Sequence, residues 1–321
     1  MNNPVLVEVL RSGFVESIHR GSVVVLAPDG RVRLALGEVH EPVFTRSSNK
    51  PLQALGLLRA GLDLPDDADL AVGCASHSGE SEHVEQVLGI LAKNGLSETD
   101  LGCPPDWPLN QAARNRVIAG GGGKRAAAMN CSGKHAAMLA VSAQQGWDTR
   151  GYLDPEHPAQ AAIADAVEDM TGEPIATIGV DGCGAPLFAL TLAGLATGYT
   201  RLVLAAPGTR RRRVADAMRA HPFLVGGTDR DDSELMEAIP GLLVKGGAEG
   251  VHAMVLPDGT AMAMKIDDGA PRPRTPILVG VLRALGYDAP ELAEKAEHDV
   301  LGGGVPVGAA RLTDGLLDKL D

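Results

Sequence analysis

Ser47 and Lys50 stand three residues apart in the stretch Phe44-Thr-Arg-Ser-Ser-Asn-Lys-Pro-Leu-Gln-Ala-Leu55. Residues at that spacing face the same way on a helical turn, so a hydroxyl and an amine can act as nucleophile and base. A lysine that serves as a base at neutral pH has to be brought down by about 3 pH units from ~10.4, which is worth roughly 4 kcal/mol. Burial beside a second cation supplies such a change. The apolar run Leu52, Leu55, Leu57 and Leu58 predicts that the segment enters a core. Pro51 opposes a regular helix through Lys50, because it lacks a backbone donor and biases its predecessor away from the helical region. Either the first turn is distorted or the regular helix begins at Pro51. The Ser-x-x-Lys spacing is common by chance, so the chemistry depends on what else gathers around it.

Four further stretches carry reactive side chains. The apolar run Asp69 to Cys74 ends in Ala75-Ser76-His77-Ser78-Gly79-Glu80, which reads as a loop at a strand's end, where sites are commonly built. Its serines can cap the amphipathic helix Glu82 to Asn94, closed by Gly95, or face a substrate, and both can hold at once, one serine capping and another facing a substrate. Asn130-Cys131-Ser132-Gly133-Lys134-His135 leads into the apolar Ala136 to Ala143, and a helix entrance of this kind leaves backbone N–H groups for a carboxylate. It is no phosphate loop, since His135 follows Lys134 where Ser or Thr is needed. Asp181-Gly182-Cys183-Gly184 follows the strand Ile175 to Val180, and its glycines let other groups come close. Cys131 and Cys183 lie too far apart for a zinc-ribbon spacing, which by itself favours reduced structural thiols. Lys245 closes the apolar strand from Leu242 and precedes Gly246-Gly247. This is similar to the Lys-Thr/Ser-Gly strand of serine acyl-transferases, with glycine in the hydroxyl position.

The elements that position these groups follow from the remaining pattern. Val5 to Leu10 reads as a strand, and Ser22 to Leu26 and Arg31 to Leu36 read as two more joined by the turn Pro28-Asp29-Gly30. Val251 to Leu256 and Ala261 to Ile266 form a second hairpin across Pro257-Asp258-Gly259-Thr260. Helices are predicted over His157 to Met170, Leu187 to Leu195, Thr209 to His221, from Ser233, and over Ile277 to Leu285. Leu101 to Gly123, with Pro104-Pro105 and Gly120 to Gly123, reads as an irregular mobile loop over the site. The fold class is α/β of the α+β type, an antiparallel sheet flanked by helices with a helical part. No repeat or low-complexity linker divides the chain, so residues 1–321 read as one catalytic domain.

Composition bounds the partners. The hydrophobic fraction is 45% with only 3% aromatic, which requires an aliphatic, alanine-rich core. A net charge of -12 argues against nucleic acid or an anionic membrane as a partner. Arg210 to Arg213 is the one basic run, and it reads as a solvated helix face. No apolar stretch has the roughly 18 residues of a membrane span, and the N-terminus lacks a signal-peptide pattern. The expectation is a cytoplasmic protein whose four cysteines are thiols.

Taken together, Arg46-Ser47-Ser48-Asn49-Lys50-Pro51, Cys74-Ala75-Ser76-His77-Ser78, Cys131-Ser132-Gly133-Lys134-His135, Asp181-Gly182-Cys183 and Lys245-Gly246-Gly247-Ala248-Glu249-Gly250 resemble the asparaginase II family, the rhizobial, thermolabile type of L-asparaginase. Val15-Glu16-Ser17-Ile18-His19-Arg20-Gly21 is similar to that family as well. The resemblance implies a fold like those of serine β-lactamases and glutaminases, and hydrolysis of L-asparagine to L-aspartate and ammonia. It implies one catalytic pair in Ser47 and Lys50 and a second in Ser76 and Lys245. Arg46, His77 and Asp181 would contact substrate, and Cys131, Lys134 and Cys183 would hold a zinc ion. Gly-Thr-Asp-Arg-Asp-Asp at 227–232 departs from the family pattern. A small-molecule substrate and a homodimer are expected. Two alternatives stand beside this reading. One is a glutaminase or other acyl-serine amidohydrolase; the other is a non-catalytic zinc or thiol sensor.

Overall fold

The computed structural model describes residues 3–320. In chain order it contains β1 (Val5–Arg11), β2 (Phe14–Leu26), β3 (Val32–Leu36), β4 (Val43–Phe44), a 3-10 turn at Arg46–Asn49, α1 (Lys50–Arg59), α2 (Asp67–Gly73), α3 (Ser81–Lys93), α4 (Gln111–Ala119), α5 (Ser132–Gln144) and α6 (Pro158–Thr171). Then come β5 (Thr177–Val180), β6 (Pro186–Leu190), α7 (Leu192–Val203), α8 (Arg210–Ala220), α9 (Pro222–Val225), α10 (Asp231–Ala238), β7 (Leu243–Gly246), β8 (Val251–Val255), β9 (Ala261–Ile266), α11 (Arg274–Ala284), α12 (Pro290–Ala293), β10 (His298–Gly302) and β11 (Val305–Leu312).

An eight-stranded antiparallel sheet runs β10-β11-β1-β2-β9-β8-β7, with β3 added to β2. The long β2 serves three neighbours, β1, β9 and β3. Its first half pairs with β1 and its second half, Gly21 to Leu26, with β9. A small second sheet, β4-β6-β5, carries the chain to the 3-10 turn at Arg46. The expected antiparallel sheet flanked by helices and the separate helical part are both present. No helix among the described residues is long and apolar enough to cross a membrane.

Helix α1 is the axis of the helical part. Every residue from Lys50 to Leu58 is buried, which an apolar helix tolerates only when other elements enclose it. At Gly56 the backbone of α6 comes so close that an added Cβ would lie 2.6 Å from Ile163 Cα. The core is aliphatic, as the composition requires, with Tyr152, Tyr199 and Phe188 its large aromatic members. Tyr199 donates to the Ser48 carbonyl at 2.6 Å and thereby ties α7 to the turn that starts α1.

Four local expectations are corrected. Asp69 to Cys74 belongs to helix α2 and not to a strand. Asp66 caps it by accepting from Ala68 N, and Asp67 and Asp69 suit the positive helix start. Within the supposedly irregular Leu101 to Gly123 lies α4, capped by Asn110. Leu187 to Leu195 is not one helix: β6 ends at Leu190, and Thr191 caps α7 by accepting from Gly194 N. Neither Ser76 nor Ser78 caps α3; Glu80 does, with His83 returning a bond to its backbone. Strands β10 and β11 went unread in the sequence.

Candidate active site

The 3-10 turn resolves the conflict that Pro51 posed. Arg46 to Asn49 wind tightly, α1 begins at Lys50, and Pro51 falls within its first turn, where a missing N–H costs nothing. Arg46 takes the left-handed conformation, φ 49°, which is uncommon for a residue with a Cβ and marks a tightly held turn. Its guanidinium holds Asp181 through Nε at 2.9 Å and Nη2 at 2.8 Å. The site's two segments, 135 residues apart, are joined by this bond.

A cavity of about 390 Å³ opens beside the turn. Ser47, Ser76, Arg46, Asp181, Cys131 and Cys183 all line it. The three predicted amines, Lys50, Lys134 and Lys245, are buried behind its wall. Lys50 Nζ donates to the Ala75 carbonyl and lies 3.1 Å from Ser76 Oγ and 3.2 Å from Cys131 Sγ. The hydroxyl in hydrogen-bond contact with Lys50 is that of Ser76. Ser47 stands half-buried on the wall, its hydroxyl in no hydrogen bond with a described residue.

Lys245 makes no hydrogen bond with either serine. Its amine donates to Asp232 Oδ2 and to the Gly246 carbonyl, each at 2.8 Å. Asp232 also accepts from Gly246 N and contacts His252 Nε2, both at 2.9 Å through Oδ1. Burial pushes the Lys245 ammonium down; Asp232 works against this and the charge of Lys50 adds to it, leaving a pKa of about 8. Burial opposes the Asp232 charge, but Lys245 and His252 overcome it and hold that carboxyl well below the usual range. Asp232 and His252 were not singled out in the sequence.

His77 is the predicted residue that the structure removes from the cavity. It is fully buried, its Nδ1 accepts from Gly79 N at 3.1 Å and its Nε2 faces Ser132 Oγ at 2.9 Å. Since Nδ1 accepts, Nε2 carries the proton. The ring is kept neutral by burial, with His83 and Lys50 adding to the effect.

The two candidate thiols meet at the entrance of α5. Gly133 beside them lets α5 pack closely on α2, because a Cβ there would sit 2.1 Å from the Val72 carbonyl. A hydrogen bond from Cys183, reinforced against burial by Lys50 and Lys134, holds the Cys131 thiol well below its ordinary value. The same contact and burial push Cys183 far upward. Lys134 Nζ lies 3.3 Å from Cys183 Sγ. Burial opposes its charge, but Cys183, Cys131 and Asp181 carry its pKa above the ordinary lysine value. No group of three or more His, Cys, Asp or Glu side chains among the described residues is placed to hold a metal. The available donor set is two sulfurs and an amine, soft enough for zinc, with protons on Cys183 and Lys134 that a metal would have to displace.

Residues 7–312 match the profile of L-asparaginase II. The chain belongs to the L-asparaginase II family. No curated protein matches it. Among solved structures, a β-lactamase from Mycobacterium bovis is similar at 14% identity over 82% of this chain and 94% of that one, with a TM-score of 0.45. A putative β-lactamase from Bacteroides dorei shares 14% identity over 82% and 93%, with a TM-score of 0.41. A mutant simvastatin synthase from Aspergillus terreus shares 13% over 86% and 90%, with a TM-score of 0.38. As a member of the L-asparaginase II family, the chain is an amidohydrolase of the asparaginase type.

Proposed function

We propose that this chain hydrolyses L-asparagine to L-aspartate and ammonia, with Ser47 as nucleophile and Lys50 as the group that takes its proton. The observation that carries the reading is one cavity, in a chain of this family, lined by two hydroxyls with a buried amine against the second. Ser47 Oγ forms the ester bond to the side-chain carbonyl carbon as its proton passes toward Lys50. Collapse of the tetrahedral intermediate breaks the C–N bond, and the proton leaves with ammonia. Water then hydrolyses the aspartyl ester. Ser76, bonded to Lys50, lies where a proton could be passed on, and Lys245 supplies a second buried cation nearby. Arg46 and Asp181 shape the opposite wall through their ion pair.

Zinc belongs to the same reading. Cys131, Lys134 and Cys183 would hold it, and a bound zinc would supply a positive charge that orients the substrate. Assembly as a homodimer is also proposed, and sedimentation measures it.

One specific observation favours a second assignment of the nucleophile. Ser76 Oγ, not Ser47 Oγ, is the hydroxyl within 3.1 Å of Lys50. Ammonia release from asparagine by Ser47→Ala and Ser76→Ala, each verified as folded by circular dichroism, decides between them. The proposal requires Ser47→Ala to be inactive. If Ser47→Ala turns over at the wild-type rate while Ser76→Ala is silent, the nucleophile is Ser76. If the wild-type protein releases no ammonia from asparagine, the substrate assignment falls.

A further inference from the structure

Three guanidinium groups line the cavity: Arg46, Arg230 and Arg274. Arg46 is neutralised by Asp181. Arg274 donates to the Gly247 carbonyl at 3.0 Å and has Asp231 within 4.0 Å. The Arg230 guanidinium makes no hydrogen bond and no ion pair with any described residue. Half-buried at the start of α10, it borders both the main cavity and a smaller one of about 150 Å³. The nearby Asp232 feels the charge of Arg230 but makes no direct contact with it, its two oxygens being bonded to Lys245, Gly246 N and His252.

The acidic side chains on the main cavity wall are also committed. Asp181 faces Arg46 and Asp106 faces Lys124 at 3.4 Å. The one positive group left without a partner is thus a planar, five-donor fork, whose complement is a carboxylate. An amino acid with a side-chain amide keeps such a group, its α-carboxylate, at the end remote from the amide nitrogen.

We infer that Arg230 is a specificity-determining residue that binds the α-carboxylate of the substrate, so that the site selects amides bearing an adjacent free carboxylate over simple amides. This inference rests on the amidohydrolase reading above. It assigns Arg230 to recognition, not to the bond-breaking step. A charge-assisted, two-point contact of this kind changes binding by about tenfold to a hundredfold.

The experiment compares wild type, Arg230→Gln and Arg230→Lys on L-asparagine and on 3-aminopropanamide, which is asparagine without its α-carboxylate. Arg230→Gln should lower kcat/KM for asparagine about tenfold to a hundredfold, mainly through KM, and leave the slow turnover of 3-aminopropanamide unchanged. Arg230→Lys, which keeps the charge and loses the fork, should fall between. Equal losses on both substrates, or no loss on asparagine, overturn the inference. Calorimetry with L-aspartate and β-alanine keeps it separate from the reaction itself. If wild type binds aspartate and Arg230→Gln binds it no better than β-alanine, the assignment stands even where asparagine is not hydrolysed. If aspartate binds both proteins equally, it fails.

Discussion

Replacing Asp232 by Asn removes one charge and almost no volume from the most buried ion pair of the site. Lys245, fully buried, then loses the carboxylate 2.8 Å from its amine. The Asn oxygen can still accept from Gly246 N, but its NH2 group then faces the ammonium. Breaking a buried pair by removing one partner costs about 3–5 kcal/mol. The sign of the pH dependence follows. In the wild type Lys245 has a folded pKa of about 8, so below pH 8 both folded and unfolded chains carry its proton and this group contributes no slope. In the variant the stabilising carboxylate is gone, the folded pKa falls further, and near pH 7 only the unfolded chain binds the proton. Stability then rises with pH by about 1.4 kcal/mol per unit, and the gap to wild type narrows between pH 7 and 8. Urea unfolding followed by circular dichroism at several pH values measures both quantities. The double variant Asp232→Asn with Lys245→Met, which removes both charges, should recover most of the loss. A gap below about 1 kcal/mol, or one that stays constant from pH 6.5 to 8, would falsify the reasoning.

Other consequences are as direct. Gly133→Ala places a methyl group 2.1 Å from the Val72 carbonyl, so α2 and α5 must separate. Thermal unfolding should show a loss of about 3 kcal/mol or more, as expected for severe overpacking. Cys131→Ser or Cys183→Ser should lower bound zinc, measured by elemental analysis, and raise KM for asparagine more than it lowers kcat, because a hydroxyl is a poor zinc ligand. Unchanged zinc content in both would place any metal elsewhere. His77→Gln should cost stability through its buried contacts with Gly79 and Ser132 while leaving KM for asparagine unchanged. A raised KM in a stably folded variant would return His77 to the substrate.

What could be read in the sequence was short-range or repeated in type. The stretches around Ser47, Ser76, Cys131 and Cys183 announce themselves as small polar residues beside apolar runs, and the structure brings all four to one cavity. Asp232 gave no such signal. Its partners lie 13 and 20 residues away across β7 and β8, and pairing at that distance is fixed by strand register, which polarity alone does not reveal. Arg230 was hidden for the opposite reason: a residue without protein partners looks like any surface arginine. His77 misled because it sits among hydroxyls, as a substrate-facing histidine also would. The Leu187 to Leu195 run misled because short apolar runs fit either helix or strand. Strands β10 and β11 escaped because they are half-exposed and interrupted by Gly302 to Gly304 and Pro306, which blurs the alternation that marks a strand.

The single carboxylate of Asp232 joins three elements, α10, β7 and β8, at one buried point. This limits how the sequence can drift. A change at Asp232 strands a cation, and a change at Lys245 strands an anion. A change at His252 leaves Asp232 Oδ1 with Gly246 N alone. Each single step is penalised, whereas a paired exchange can be nearly neutral. Descendants of this chain should therefore alter these positions together or keep all three, and variants made one residue at a time will overstate how indispensable each one is.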